Sequence, residues 1–314
     1  MKLVSAPSRR KDSPRRSGGS LPLVIILSAA VILLLAVILV LVLRPADVTE
    51  PLPSEMPTEE IIEAEPTPSP STHIEFAGIQ IPIVSDVPVN DYGVENFALR
   101  EDGAVEYTAG WAVQGIDISA FQEDVDWEAV AESGIEFVIL RVAYRGYGTG
   151  RLLLDELFYE HVEGALAAGL DIGVYVFSQA INVKEAEQEA EFVLNAIEGY
   201  PIKYPVVFDW ERVLEEDSRT RDLGTQAMSA CARAFCRKIE EAGYTPTVYI
   251  NMSEGYLGFD LTVITEYDIW LAEYDDHPDF YYDFTLWQYT CEGYVPGIEG
   301  YVDRNLCFKD FGIG

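Results

Sequence analysis

The chain has 314 residues, about half of them hydrophobic, so it can bury a sizeable core. Its formal net charge is -32. Residues 1–44 nevertheless carry seven Lys or Arg and one acid, leaving 14 basic and 52 acidic side chains after them. That balance excludes a nucleic-acid partner, which needs basic phosphate contacts, and leaves a neutral polymer open.

The elements follow in chain order. Residues 1–20 form a basic tail, expected in the cytoplasm because positive charge before a span favours that side. Residues 21–43 run LPLVIILSAAVILLLAVILVLVL without a charge. As a helix they reach roughly 34 Å, enough for a bilayer core of about 30 Å and too long for a cleaved signal. A single-pass membrane helix with the C-terminal mass outside the cell is expected. Residues 44–73 are rich in Pro, Glu, Ser and Thr and read as an extended linker. Residues 74–111 carry short apolar stretches between turn signals, a β-rich stalk or hairpin extension.

From residue 112 to 314 strand-length apolar runs recur. Strands are expected at Gly115–Ser119, Phe137–Tyr144, Asp171–Ser178, Pro205–Glu211, Thr247–Asn251, Tyr267–Tyr274, Phe284–Thr290 and Tyr301–Leu306. Helices are expected at Asp126–Ser133, Asp155–Ala168, Asn182–Glu198 and Thr225–Ala242, the last ending at Gly243. Continuous Val/Ile runs between helices indicate parallel strands covered on the outside. The fold class is α/β: a barrel with an irregular last third, or alternatively an open doubly wound sheet. The loop Arg145-Gly-Tyr-Gly-Thr-Gly150 lacks the Lys-Ser/Thr of a phosphate loop and reads as a flexible rim.

Function in parallel barrels collects at the C-terminal ends of strands. Those ends carry Asp117, then Asp209-Trp-Glu211, then Trp270 and Tyr274, then Trp287-Gln288-Tyr289, with Asp303 on the last strand. Alternate residues of a strand share a face, so Asp209 and Glu211 point the same way, with Cα atoms about 6.6 Å apart. Two carboxyls with like charges nearby suit glycosidic cleavage, one as protonated acid and one as anion. Glu211 is the expected proton donor. Any one of Trp270, Trp287 and Tyr289 reads equally well as a core aromatic. His73, His161 and His277 are scattered and no CxxC is present, so neither a metal site nor a cofactor is expected. Cys291 and Cys307 flank the last two strands and could meet.

The sequence resembles glycoside hydrolase family 25, the lysozymes of the N,O-diacetylmuramidase type. The likeness is carried by Gly115-Ile-Asp-Ile-Ser119 with Phe121-Gln122, Val125-Asp-Trp127, Phe137-Val-Ile-Leu-Arg141, Asp155 with Phe158, and Ala168-Gly-Leu with Gly173-Val-Tyr-Val-Phe177. It continues in Asp209-Trp-Glu211, Trp287-Gln-Tyr289 and Gly297-Ile-x-Gly300 leading to Val302-Asp-x-Asn305. The resemblance implies an irregular (β/α)5β3 TIM-like barrel that cleaves between N-acetylmuramic acid and N-acetylglucosamine in peptidoglycan. It implies Glu211 as catalytic acid, Asp209 as partner carboxylate, Asp117 and Asp303 as the other acids, and Tyr175 as an aromatic lining the site. Phe177, Tyr274 and Gln288 are expected to bind substrate beside it. Departures are Val176 where relatives often carry His or an aromatic, His161 where they often carry Asn, and Gln122-Glu-Asp in place of Gln-Gly. A monomer bound to peptidoglycan and to a membrane through residues 21–43 is expected. A wall-binding module without turnover, or a hydrolase of another N-acetylated glycan such as chitin, are the alternatives.

Overall fold

A computed structural model describes residues 72–312. The expected tail, membrane helix and all but residues 72 and 73 of the linker lie outside the described residues. Among the described residues no helix is long and apolar enough to cross a membrane.

Two antiparallel hairpins come first. β1 (His73–Phe76) pairs with β2 (Ile79–Pro82), and β3 (Phe97–Leu99) pairs with β4 (Val105–Tyr107). The expectation of short strands over 74–111 thus meets two hairpins. The chain between the two hairpins lies against the segment that joins the later strands Asp268–Ala272 and Leu286–Gly293: the Tyr282 hydroxyl accepts from Val84 N at 2.9 Å, and Asn90 Nδ2 donates to the Phe280 carbonyl.

The barrel then runs β5 (Val113–Ile118), α1 (Trp127–Glu132), β6 (Phe137–Arg145), β7 (Leu152–Leu154), α2 (Phe158–Ala167), β8 (Asp171–Ser178), α3 (Val183–Ala196), β9 (Ile202–Trp210), α4 (Thr225–Glu241), β10 (Pro246–Asn251), α5 (Leu261–Ile264), β11 (Asp268–Ala272), β12 (Leu286–Gly293) and β13 (Val302–Cys307). The strand order is β5-β13-β12-β11-β10-β9-β8-β6, and β5 pairs back onto β6. That pairing closes eight strands into a barrel and removes the open-sheet alternative. All neighbours are parallel except β13, which runs antiparallel to both β12 and β5.

Local chemistry explains the helix ends. Asp126 and Asn182 cap α1 and α3 by accepting from Ala129 N and Glu185 N. Glu185 reaches back to Ile181 N, one residue short of a reciprocal capping box. Gly243 follows α4 at φ 87°, a left-handed turn that suits glycine.

The core has two layers. Val138, Leu140, Val174, Val176, Val206 and Phe208 face outward onto the helices, while Phe137, Ile139, Val207, Tyr249, Trp270 and Leu286 fill the barrel. A side chain on Gly115 would run into the Phe137 ring, which occupies the space a Cβ would need.

Two smaller expectations are corrected. The Arg145–Gly150 loop is not a free rim. It turns β6 into β7, the Arg145 guanidinium donates to the Gly150 carbonyl at 2.8 Å, and its Nε lies 2.6 Å from the buried carboxylate of Glu189. Cys291 and Cys307 do not meet. Cys307 pairs in register with Leu286 at one end of the β12–β13 ladder, whereas Cys291 is exposed near the other end.

Candidate active site

The C-terminal ends of the parallel strands form one mouth, and the start of antiparallel β13 reaches the same rim. Asp303, second in β13, sits directly across from Asp117 of β5. Asp209, near the end of β9, lies level with Phe177 of β8 and Tyr249 of β10. Glu211 follows one residue beyond β9. These groups line one cavity of about 630 Å³, together with Arg141, Tyr175, Trp270, Tyr274 and Gln288. Between the two acids, Trp210 turns away, buried, with its Nε1 donating to the Ala180 carbonyl at 3.0 Å.

The four carboxyls have different surroundings. Asp117 is 6% exposed and accepts from Gln288 Nε2 at 2.8 Å and Asn305 Nδ2 at 2.9 Å, both on Oδ2. Burial, then the facing Asp303, push its pKa well up, and the two amides pull it part of the way back. Asp209 is 5% exposed, and its buried Oδ1 has no hydrogen-bond partner within the protein. Burial and then the charges of Glu211 and Asp117 raise its pKa, against the opposing pull of Arg141. Glu211 is more open, and its pKa is raised by burial, then by Glu254 and Asp303. Burial lifts Asp303 to about 6.

Aromatic and amide groups hold this cluster in place. Tyr249 and Tyr274 both donate to Gln288 Oε1, at 3.0 and 3.1 Å, which turns the Gln288 amide nitrogen toward Asp117. Trp270 Nε1 donates to Asn305 Oδ1 at 2.8 Å and orients the second amide likewise. Arg141 is fixed by Asp155, with Nε 2.7 Å from Oδ2, and its guanidinium lies 5.0 Å from the exposed Phe121 ring. Gln179 holds the chain after β9 by donating to the Glu211 carbonyl at 2.7 Å.

Of the residues named from sequence, Asp117, Tyr175, Phe177, Asp209, Glu211, Trp270, Tyr274, Gln288 and Asp303 come together. Trp287 and Tyr289 do not. Side chains alternate along β12, so with Gln288 facing in, its neighbours face out. Trp287 packs on Phe97 at 5.4 Å, and the Tyr289 hydroxyl donates to Gln114 Oε1. Arg141, Tyr249 and Asn305 were missed as parts of the site. Alternation could have found Asn305, which shares a strand face with Asp303, and Tyr249, which faces inward on β10.

Fold and site together define an eight-stranded α/β barrel whose mouth holds buried, mutually repelling carboxylates among aromatic rings. Residues 116–298 match the model of glycosyl hydrolases family 25, and the chain belongs to that family. It is 28% identical over 192 residues to the autolytic lysozyme of Clostridium acetobutylicum, covering 61% of this chain and 54% of that protein. The modular autolysin LytC of Streptococcus pneumoniae, solved in complex with a synthetic peptidoglycan ligand, shares the fold at TM-score 0.58 and 24% identity, covering 67% of this chain and 52% of LytC. A bacterial lysozyme of Streptomyces coelicolor shares it at TM-score 0.52 and 24% identity, covering 63% of this chain and 92% of that one. The chain thus spans about half the length of the first two relatives.

Proposed function

We propose that this chain is a peptidoglycan hydrolase of the muramidase type, cleaving the β-1,4 bond between N-acetylmuramic acid and N-acetylglucosamine. The observation that carries it is the pair Asp209 and Glu211, two residues apart and facing one cavity from the end of β9, each with a raised pKa. Family membership and the kinship with an autolytic lysozyme support the substrate class.

Glu211 donates the proton to the leaving glycosidic oxygen. Its raised pKa keeps the acid form populated toward neutral pH, and its greater openness lets it reach the oxygen. Asp209 supports the positive charge that develops at the sugar carbon. Its unpartnered Oδ1 suits either direct attack on that carbon or a hydrogen bond from the substrate's acetamido N–H, the two routes by which a partner carboxylate serves retention. Asp117, fixed by Gln288 and Asn305, and the facing Asp303 complete the carboxyl cluster beside the pair, while Tyr175, Phe177, Trp270 and Tyr274 offer faces to sugar rings.

Residues 21–43 anchor the chain in the membrane with residues 1–20 in the cytoplasm, residues 44–73 as a spacer, and the barrel outside as a monomer. The tether raises the local concentration of an acidic domain beside the wall.

The test is digestion of purified peptidoglycan by the full-length chain and by Glu211→Gln. New reducing ends on muramic acid, identified by mass spectrometry, are expected from the wild type and lost in the variant with its folding intact. Undiminished release by the variant, wall binding without turnover, or cleavage of chitin in place of peptidoglycan would overturn the reading. Protease protection of the tail alone in intact cells tests the orientation.

A further inference from the structure

The outer face of β12 and β13 is covered by the β3–β4 hairpin, upstream of the matched family region. Between hairpin and barrel lies a groove of about 420 Å³. Tyr274 belongs to both this groove and the catalytic cavity: its hydroxyl donates to Gln288, and the residue is 56% exposed.

Arg304 lines the groove, 6% exposed. Among the described residues no carboxylate lies within ion-pair distance of its guanidinium. One long bond of 3.5 Å runs from Nη1 to the Asp102 carbonyl, the Tyr289 ring lies 6.0 Å away, and the buried Nε has no partner. The Asp102 carboxylate turns instead to Arg100, at 3.3 Å. The contrast with Arg145, the other buried arginine among the described residues, is direct: that cation meets Glu189 at 2.6 Å. A buried charge left without a counter-charge is expensive, and an arriving anion relieves it. Gly293 leaves space for this side chain, since a Cβ there would come 2.5 Å from Arg304 Cγ.

The groove's rim has the opposite sign. Asp275, Asp276 and Glu292 are exposed carboxylates along it. A simple anion is repelled by that rim, whereas a molecule with both a carboxylate and an ammonium group meets a partner for each. We propose that the groove is a subsite for the peptide branch of the substrate, with Arg304 receiving a peptide carboxylate and the acidic rim a peptide ammonium group. The inference rests on the peptidoglycan reading above, in which the lactyl group of muramic acid carries a peptide out of the catalytic cavity, and Tyr274 marks the passage between the two.

The experiment compares the full-length chain with Arg304→Gln on two soluble substrates, glycan strands bearing peptide branches and the same strands stripped of them. The expected result is a fall of about tenfold or more in the ratio of kcat/KM between branched and bare strands, the size usual for truncating one partner of a buried charge contact. An unchanged ratio overturns the proposal, whether both rates fall together, as for a purely structural arginine, or neither falls. With the wild type alone, a free branch peptide should inhibit cleavage of branched strands, and the same peptide with its carboxylates amidated should not; equal behaviour of the two peptides overturns the proposal even if Arg304→Gln fails to fold. Wild-type inactivity on both strands would instead sink the peptidoglycan reading itself.

Discussion

Replacing Asp303 by Asn should make the protein more stable at neutral pH while weakening catalysis. Burial holds the Asp303 pKa near 6 in the folded state, against the ordinary carboxylate value of 3.8 that the unfolded chain is expected to show. The folded protein therefore keeps a proton that the unfolded chain releases. Below the lower pKa both states are protonated and the group contributes nothing. As pH rises from about 4 to about 6 the unfolded state gains, and native stability falls. The full difference corresponds to about 3 kcal/mol, and to about 2 kcal/mol after allowance for the edge that faces solvent. Asparagine, uncharged at every pH, avoids this penalty and also relieves Asp117, whose pKa the Asp303 charge raises. Urea unfolding of both proteins at pH 4 and pH 7.5 isolates the effect. The variant should gain roughly 2–3 kcal/mol at the higher pH relative to the lower, equivalent to about 5–10 °C in Tm for a domain of this size. A stability difference that does not change with pH would refute the reasoning.

Further outcomes follow from other contacts. Glu254 is the largest charge raising the Glu211 pKa after burial itself, so Glu254→Gln should move the alkaline limb of the rate profile to lower pH; a limb that stays put or moves up counts against Glu211 as the acid. Glu189→Gln takes from buried Arg145 its close counter-charge, leaving Glu185 at 4.0 Å, and should destabilise by about 3–5 kcal/mol in urea unfolding, well above the loss that exposed pairs give; a loss of exposed-pair size counts against this pair as a buried anchor. Trp287→Phe should lower stability by roughly 1–3 kcal/mol and leave kcat/KM near the wild-type value, because the ring packs under Phe97 and lies outside the cavity.

The barrel was legible because its strands are buried on both faces and read as unbroken apolar runs, and because Asp126, Asn182 and Gly243 mark helix ends chemically. Closure was not legible, since nothing in β5 or β6 alone distinguishes their pairing from an open edge. The acids were legible from the strand ends that carry them. Trp287 and Tyr289 misled because aromatic residue type was weighed above alternation about Gln288. The orienting amides were partly missed for a different reason. Alternation from Asp303 places Asn305 on the inward face, but its partner Asp117 is on a strand far away in sequence, and that pairing is what local pattern does not encode.

The last three strands pose a packing problem that the upstream segment solves. β11, β12 and β13 follow one another without covering helices between them, so their outer face would meet water. Instead Tyr92 packs on Phe308 at 4.5 Å and Phe284 at 5.1 Å, Phe97 on Trp287 at 5.4 Å, and Tyr107 on Phe308 at 5.3 Å. Backbone bonds run from Asp283 N to Pro88 O and from Asn90 N to Tyr281 O, and Gln114 Nε2 donates to the Val105 carbonyl. Residues 72–111 thus do for this side of the barrel what α1–α4 do for the other. Uncovering even roughly 400 Å² of aromatic surface removes about 10 kcal/mol of burial, comparable with the whole net stability of a domain. A chain beginning at Ala112, which keeps every acid of the site, should therefore lose cooperative unfolding and bind a hydrophobic dye. Co-expression with residues 72–111 as a separate peptide should restore both properties in part. A truncated chain that unfolds cooperatively at the wild-type Tm would show that the hairpins are ornament on a self-sufficient barrel.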